Sequence, residues 1–219
     1  MSDCFNYETL ERAGRFRSGT FSVIFTDIVQ FTQFGDNRKL RKGVRALQNA
    51  IVDIFEELHW DEPGRDNEVV MLPTGDGYGI AFDSGISDVD ILTYAVELSN
   101  SLKEEGYPIR VGINKGPCFV YKDLNDHLNL VGWGIIDAER AMSCGEKNHI
   151  LCTKDFAKQC LDMKADPGLH DVGEYIAKER KLHLYNYHSD GFGSVAAPNA
   201  KRRVRKRKAS KRKTGRNVK

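Results

Sequence analysis

Apolar positions change period several times along the chain, and the changes mark its elements. Phe21-Ser22-Val23-Ile24-Phe25 is a dense β-prone run, the signature of a buried strand. From residue 40 the spacing turns helical. Leu40, Val44, Leu47, Ile51, Ile54, Phe55 and Leu58 share a stripe, preceded by Gly35-Asp36-Asn37 with turn and N-cap chemistry. Glu68-Val69-Val70-Met71-Leu72 and Tyr78-Gly79-Ile80-Ala81-Phe82 return to strand character around Gly75-Asp76-Gly77, so a hairpin is expected with Asp76 at its apex.

A second helix is expected over 86–106, on the stripe Ile91, Leu92, Ala95, Val96, Leu98 and Leu102. Two short strands should follow, 109–113 and 118–121, separated by Lys115-Gly116-Pro117. The order strand, helix, strand, strand, helix, strand is that of a ferredoxin-like βαββαβ core of the α+β class. Beyond it the pattern predicts a polar loop over 123–129, a helix over 135–142 with Gly145 as a C-cap candidate, and a strand over 149–153. A short helix over 154–163 and an extra C-terminal hairpin of 169–176 and 182–187 complete the reading. Residues 7–13 read as one short helix and 60–67 as a loop.

Composition adds boundaries. Hydrophobic residues make up 40% of the 219, enough for one buried core. The net charge of +2 conceals a division: residues 201–219 carry 12 Lys or Arg and no acid, which leaves 21 bases against 31 acids, or −10, before them. The expected organisation is an N-terminal segment 1–17, a globular domain 18–188, a linker 189–200 and a disordered polybasic tail 201–219. Such a tail can contact nucleic acid or anionic membrane non-specifically. No run is long and apolar enough for a transmembrane segment, and the N-terminus lacks an apolar signal core, so a cytoplasmic protein is expected. The five cysteines form no Cys-x-x-Cys pair and the six histidines show no ligand spacing, so neither a disulfide frame nor a zinc site is implied.

The candidate chemistry lies at the end of the first strand. Phe25-Thr26-Asp27-Ile28-Val29-Gln30-Phe31-Thr32 delivers a carboxylate from an apolar run, and a desolvated carboxylate needs a metal, an arginine or a capping role to compensate it. With Asp76 in the neighbouring hairpin it makes an oxygen-rich pair that suits Mg²⁺ or Mn²⁺ when phosphates complete the shell. The segment between Asp27 and the first helix should expose backbone N–H groups to a triphosphate, which makes Phe31 and Thr32 substrate-binding candidates. Phe31 and Phe34 also read as core residues.

These motifs, followed by Ile109-Arg110-Val111-Gly112-Ile113-Asn114-Lys115-Gly116 and Gly132-Trp133-Gly134-Ile135-Ile136-Asp137-Ala138-Glu139-Arg140, resemble in kind and order the class III nucleotidyl cyclase catalytic domain. The resemblance covers roughly residues 18–188. It implies that Asp27 and Asp76, with the backbone carbonyl of Ile28, hold two divalent cations, that Arg140 meets charge developing on the α-phosphate, and that Lys178 binds the triphosphate. It also implies a homodimer whose site is shared between subunits. Where the family's purine cyclases carry their base-reading residues, this chain has Leu72 and Asn129, and Ile136 replaces an Asn that orients the ribose. Neither purine code is present, and in this the chain resembles the pyrimidine cyclases of bacterial Pycsar anti-phage systems. The expected activity is cyclisation of UTP, or next CTP, to a second messenger of antiviral defence. Adenylate or guanylate cyclisation, a silent nucleotide-binding module and a nucleic-acid-binding scaffold stand as alternatives.

Overall fold

The computed structural model describes residues 16–57, 69–83, 85–163, 168–189 and 191–198. The helix expected at 7–13, the loop at 60–67, Leu58 and the basic tail lie outside them. Along the chain come β1 (Phe16–Ile28), a 3-10 turn (Phe31–Phe34), α1 (Asn37–Glu57), β2 (Val69–Pro73), β3 (Gly77–Phe82), α2 (Asp88–Glu104) and β4 (Ile109–Lys122). There follow β5 (Leu128–Val131), α3 (Trp133–Cys144), β6 (Ile150–Thr153), α4 (Lys154–Met163), β7 (Leu169–Ala177), β8 (Arg180–Ser189) and β9 (Phe192–Gly193). The sheet runs β2-β3-β1-β4-β6-β8-β7, with β5 beside β4 and β9 beside β8. Its first four strands and two helices are the expected βαββαβ core, with β1 antiparallel to both β3 and β4.

Alternation along β1 explains why its run is so apolar. Ile24 and Ile28 point into the larger core with Leu47 and Ile51 of α1, Ile91 and Leu98 of α2, and Phe156 of α4. Phe21, Val23 and Phe25 point the other way, toward Ile135 and Ala138 of α3. Both faces are covered, so neither tolerates a polar stripe. Asp27, two residues beyond Phe25, therefore lies on the α3 side of the sheet.

The expected stripe of α1 is largely buried, from Leu47 to Phe55, whereas Leu40 and Val44 are only half-buried. The helix α2 begins at Ser87, whose Oγ accepts from the Val89 N–H at 3.3 Å, with Asp88 and Asp90 in the first turn, where carboxylates suit the helix dipole. Asp88 is itself buried and accepts from Ser22 Oγ at 2.5 Å and Lys115 Nζ at 2.6 Å, fastening α2 to β1 and β4.

Three expectations need correction. The two short strands around Lys115-Gly116-Pro117 are one strand of 14 residues, β4. It continues through Pro117 because β1 supplies a partner at every position from Ile28↔Ile109 to Phe16↔Tyr121, and a proline removes one ladder donor only. The loop expected over 123–129 ends in β5, which pairs with the far end of β4 and places Asn129 opposite Tyr121. Part of the stretch read as a linker is built into the domain. Within it β9 pairs with β8, Asn186 Nδ2 donates to the Ser194 carbonyl at 2.7 Å, and buried His149 faces the Ala196 carbonyl through Nε2 at 2.8 Å.

Candidate active site

Asp27 reaches its position through register. It pairs with Gly77 of β3 on one side and Arg110 of β4 on the other. The approach to Gly77 is so close that a Cβ there would lie 1.8 Å from the Thr26 carbonyl oxygen; glycine alone permits it. That contact brings the β2–β3 turn against the end of β1, and the Ile28 N–H donates to the Asp76 carbonyl at 3.0 Å. Asp27, Asp76, Ile28, Phe31 and Thr32 thus line one cavity of about 490 Å³, closed on the far side by Ser143 and Lys147 at the end of α3.

Sequence reasoning missed the residue that grips Asp27. Arg110 Nε donates to Asp27 Oδ1 at 2.7 Å and Nη2 to Oδ2 at 2.6 Å. The arginine's pKa is pushed further up, chiefly by this hydrogen bonding, while burial lowers it and Asp76 and Glu139 add attraction. Arg110 stands in the Ile109 to Gly116 motif, and its basic side chain among apolar neighbours was the available signal. Only the strand register shows that it faces Asp27.

Among the described residues no group of three or more His, Cys, Asp and Glu forms a metal cluster. The donor set nevertheless fits a hard divalent cation. Two carboxylates and a carbonyl on one cavity wall offer oxygen only, and phosphate oxygens complete such a shell.

The remaining candidates stand elsewhere. Arg140 lies on α3, with Nη1 at 3.5 Å from Asp137 Oδ1, and Arg180 Nε lies 2.8 Å from the same oxygen. Both guanidiniums stack on Trp133, at 4.4 Å for Arg180 and 5.6 Å for Arg140. One carboxylate between two arginines leaves a net positive charge beside an exposed indole, an arrangement suited to an anion. Trp133 is 49% exposed and serves as that platform. Lys178 sits at the tip of the β7–β8 hairpin with φ 54°, where a two-residue loop usually places glycine, and its Nζ pairs with Glu139 at 3.2 Å.

Leu72 packs beside Phe25, Gly79 and Ile135 on the α3 side of the sheet. The strands β2 and β5 run close together, which brings Leu72 and Asn129 into one region. Asn129 Oδ1 accepts from the Leu130 N–H at 2.7 Å.

A family model, the adenylate and guanylate cyclase catalytic domain, matches residues 15–188. No curated protein matches the chain by sequence. Among solved structures, the adenylyl cyclase CyaB from P. aeruginosa superposes with a TM-score of 0.66 at 18% identity, covering 80% of this chain and 96% of that one. The guanylate cyclase domain of RhGC from Catenaria anguillulae in complex with GTP gives 0.64 at 20%, covering 79% and 98%. Adenylate cyclases from Trypanosoma brucei in their monomeric state give 0.63 at 17%, covering 84% and 94%. These likenesses concern the fold. With the family match spanning the whole βαββαβ core and the hairpin beyond it, the chain belongs to the adenylate and guanylate cyclase catalytic domain family and is a nucleotidyl cyclase domain.

Proposed function

We propose that the protein is a homodimeric pyrimidine cyclase, converting UTP ahead of CTP to the 3′,5′-cyclic monophosphate and pyrophosphate in the cytoplasm. The observation that favours UTP is the amide of Asn129. Its oxygen is occupied by the Leu130 N–H, which fixes the orientation of the group and leaves its NH₂ as the free end. A donor suits the C4 carbonyl of uracil and opposes the C4 amino group of cytosine or the N6 amino group of adenine. Guanine has an acceptor at O6, but it brings donors at both N1 and N2 where uracil brings N3–H alone, and Leu72 offers none of them a partner. An unmet polar group costs about 1–3 kcal/mol.

In the reaction the ribose O3′ forms a bond to the α-phosphorus while the bond to the bridging oxygen of pyrophosphate breaks. Asp27, Asp76 and the Ile28 carbonyl would hold two divalent cations, Mn²⁺ or Mg²⁺, which supply acidification of the 3′-hydroxyl and neutralisation of the triphosphate. Phe31 and Thr32 border the phosphate path. From the second subunit Arg140, oriented by Asp137 and Trp133, meets charge on the α-phosphate. Lys178 of that subunit exchanges Glu139 for the triphosphate, and Leu72 and Asn129 enclose the base. The cyclase resemblance supports this division, since it puts the metal carboxylates on one subunit and Asn129 and Arg140 on the other. A role in antiviral defence, and contact of the basic tail with nucleic acid or membrane, rest on the Pycsar resemblance and on composition. Kinetics on Asn129→Ala test the base assignment: kcat/KM for UTP should fall about tenfold with CTP turnover little changed. Equal losses for both substrates would count against it.

A further inference from the structure

We infer that the outward face of α1 is an oligophosphate-binding trough, continuous with the carboxylate cavity yet separate from it. Arg38, Arg41, Lys42 and Arg45 line a concavity of about 920 Å³ that reaches Gly75 and Asp76. They stand at i, i+3, i+4 and i+7, on one side of the helix, and span about 10 Å at roughly 1.5 Å per residue. All four are exposed. Among the described residues none has a carboxylate within ion-pairing distance.

Two costs are built into this face. Like charges three and four residues apart on a helix repel. The four cations also cluster toward the N-terminal half of α1, whose first turn holds no acid, where the helix dipole disfavours positive charge. They do so in a chain that carries 31 acids against 21 bases before residue 201, so acidic partners were plentiful. A bound polyanion removes both costs.

The position chooses the anion. The trough shares Phe31, Thr32 and Asp76 with the cavity that holds Asp27, so a phosphate chain at the carboxylates has a cationic path onto α1. The choice of phosphate thus leans on the cyclase reading. A single nucleic-acid strand would call for several stacking aromatics, and Phe31 is the aromatic among the lining residues. The phosphates come either from the substrate's own tail and its pyrophosphate, or from a second nucleotide.

The test is hydrogen exchange read by mass spectrometry on the full chain with inorganic tripolyphosphate and EDTA, so that no divalent metal takes part. The expected result is slowed exchange at residues 31–48, retained in Asp27→Asn/Asp76→Asn and in Arg41→Lys/Arg45→Lys. Tripolyphosphate affinity should fall at least tenfold in Arg41→Gln/Arg45→Gln and in Arg38→Gln/Lys42→Gln, two pairs that guard against a single misfolded variant. Protection absent from α1, confined to residues 201–219, or indifferent to both glutamine pairs would overturn the trough. A cyclase that makes no cyclic product while α1 is still protected would instead fault the proposed function alone. With Mn²⁺ and UTP, one triphosphate per chain whose affinity falls in both glutamine pairs assigns the trough to the substrate's tail, and two per chain assign it to a second nucleotide; one per chain with affinity unchanged in both pairs would overturn it.

Discussion

Asp27 and Arg110 hold one another fork to fork, at 2.7 and 2.6 Å, as register partners on β1 and β4. A divalent ion held by Asp27 would compete with Arg110 for those carboxylate oxygens, and the guanidinium stands in the cavity where phosphates would bind. Arg110→Ala is expected to lower kcat/KM by about 100-fold, the usual scale for losing one charge-stabilising donor. Arg110→Lys should recover little, since an ammonium cannot fork. Steady-state kinetics on variants of unchanged melting temperature check this; wild-type turnover in Arg110→Ala would exclude the role.

The proposed sharing of the site between two subunits predicts complementation. Asp27→Ala and Arg140→Ala should each be inactive alone. An equal mixture that exchanges subunits should regain about a quarter of wild-type sites, because half the dimers are mixed and each carries one intact site. Activity of the mixture no higher than that of either variant would contradict a shared site.

Close backbone approach fixes the geometry at two glycines. A Cβ on Gly77 would meet the Thr26 carbonyl oxygen at 1.8 Å, and one on Gly112 would meet the Ala138 carbonyl oxygen at 2.1 Å. Gly77→Ala would force β3 from β1, and Gly112→Ala would lift α3 from β4. Each should cost about 3 kcal/mol or more, measurable by urea denaturation.

Burial decides cysteine reactivity. Desolvation raises the thiol pKa values of Cys152 and Cys118, and that of Cys160 to about 12. A raised thiol pKa leaves the protonated form at neutral pH, and the thiolate is the nucleophile. In the native protein at pH 7.5, roughly one unit below an ordinary thiol, these three should resist iodoacetamide, and all three should react in urea. Rapid native labelling of Cys160 would contradict its placement.

Much of this was legible in the sequence, because the signals were local. The period changes at Phe25, Leu40 and Val69 marked strand, helix and hairpin, and the Gly-Asp-Gly turn placed Asp76 at its apex. What escaped depended on partners distant along the chain. Pro117 reads as a breaker until β1 is seen to pair across it. Asn129 reads as loop until β4 supplies its neighbour. The grip of Arg110 on Asp27 spans 83 positions and follows from register alone. The stacking of Arg180 on Trp133 joins the β7–β8 hairpin to α3 and has no local signal.

Base selectivity is the central claim, and competition measures it most directly. The purified full chain is incubated with ATP, GTP, CTP and UTP at equal concentrations with Mn²⁺, and the cyclic products are identified by mass spectrometry. The account predicts cyclic UMP as the main product with cyclic CMP second. Cyclic AMP or cyclic GMP in the majority would contradict the pyrimidine assignment while leaving the cyclase fold intact.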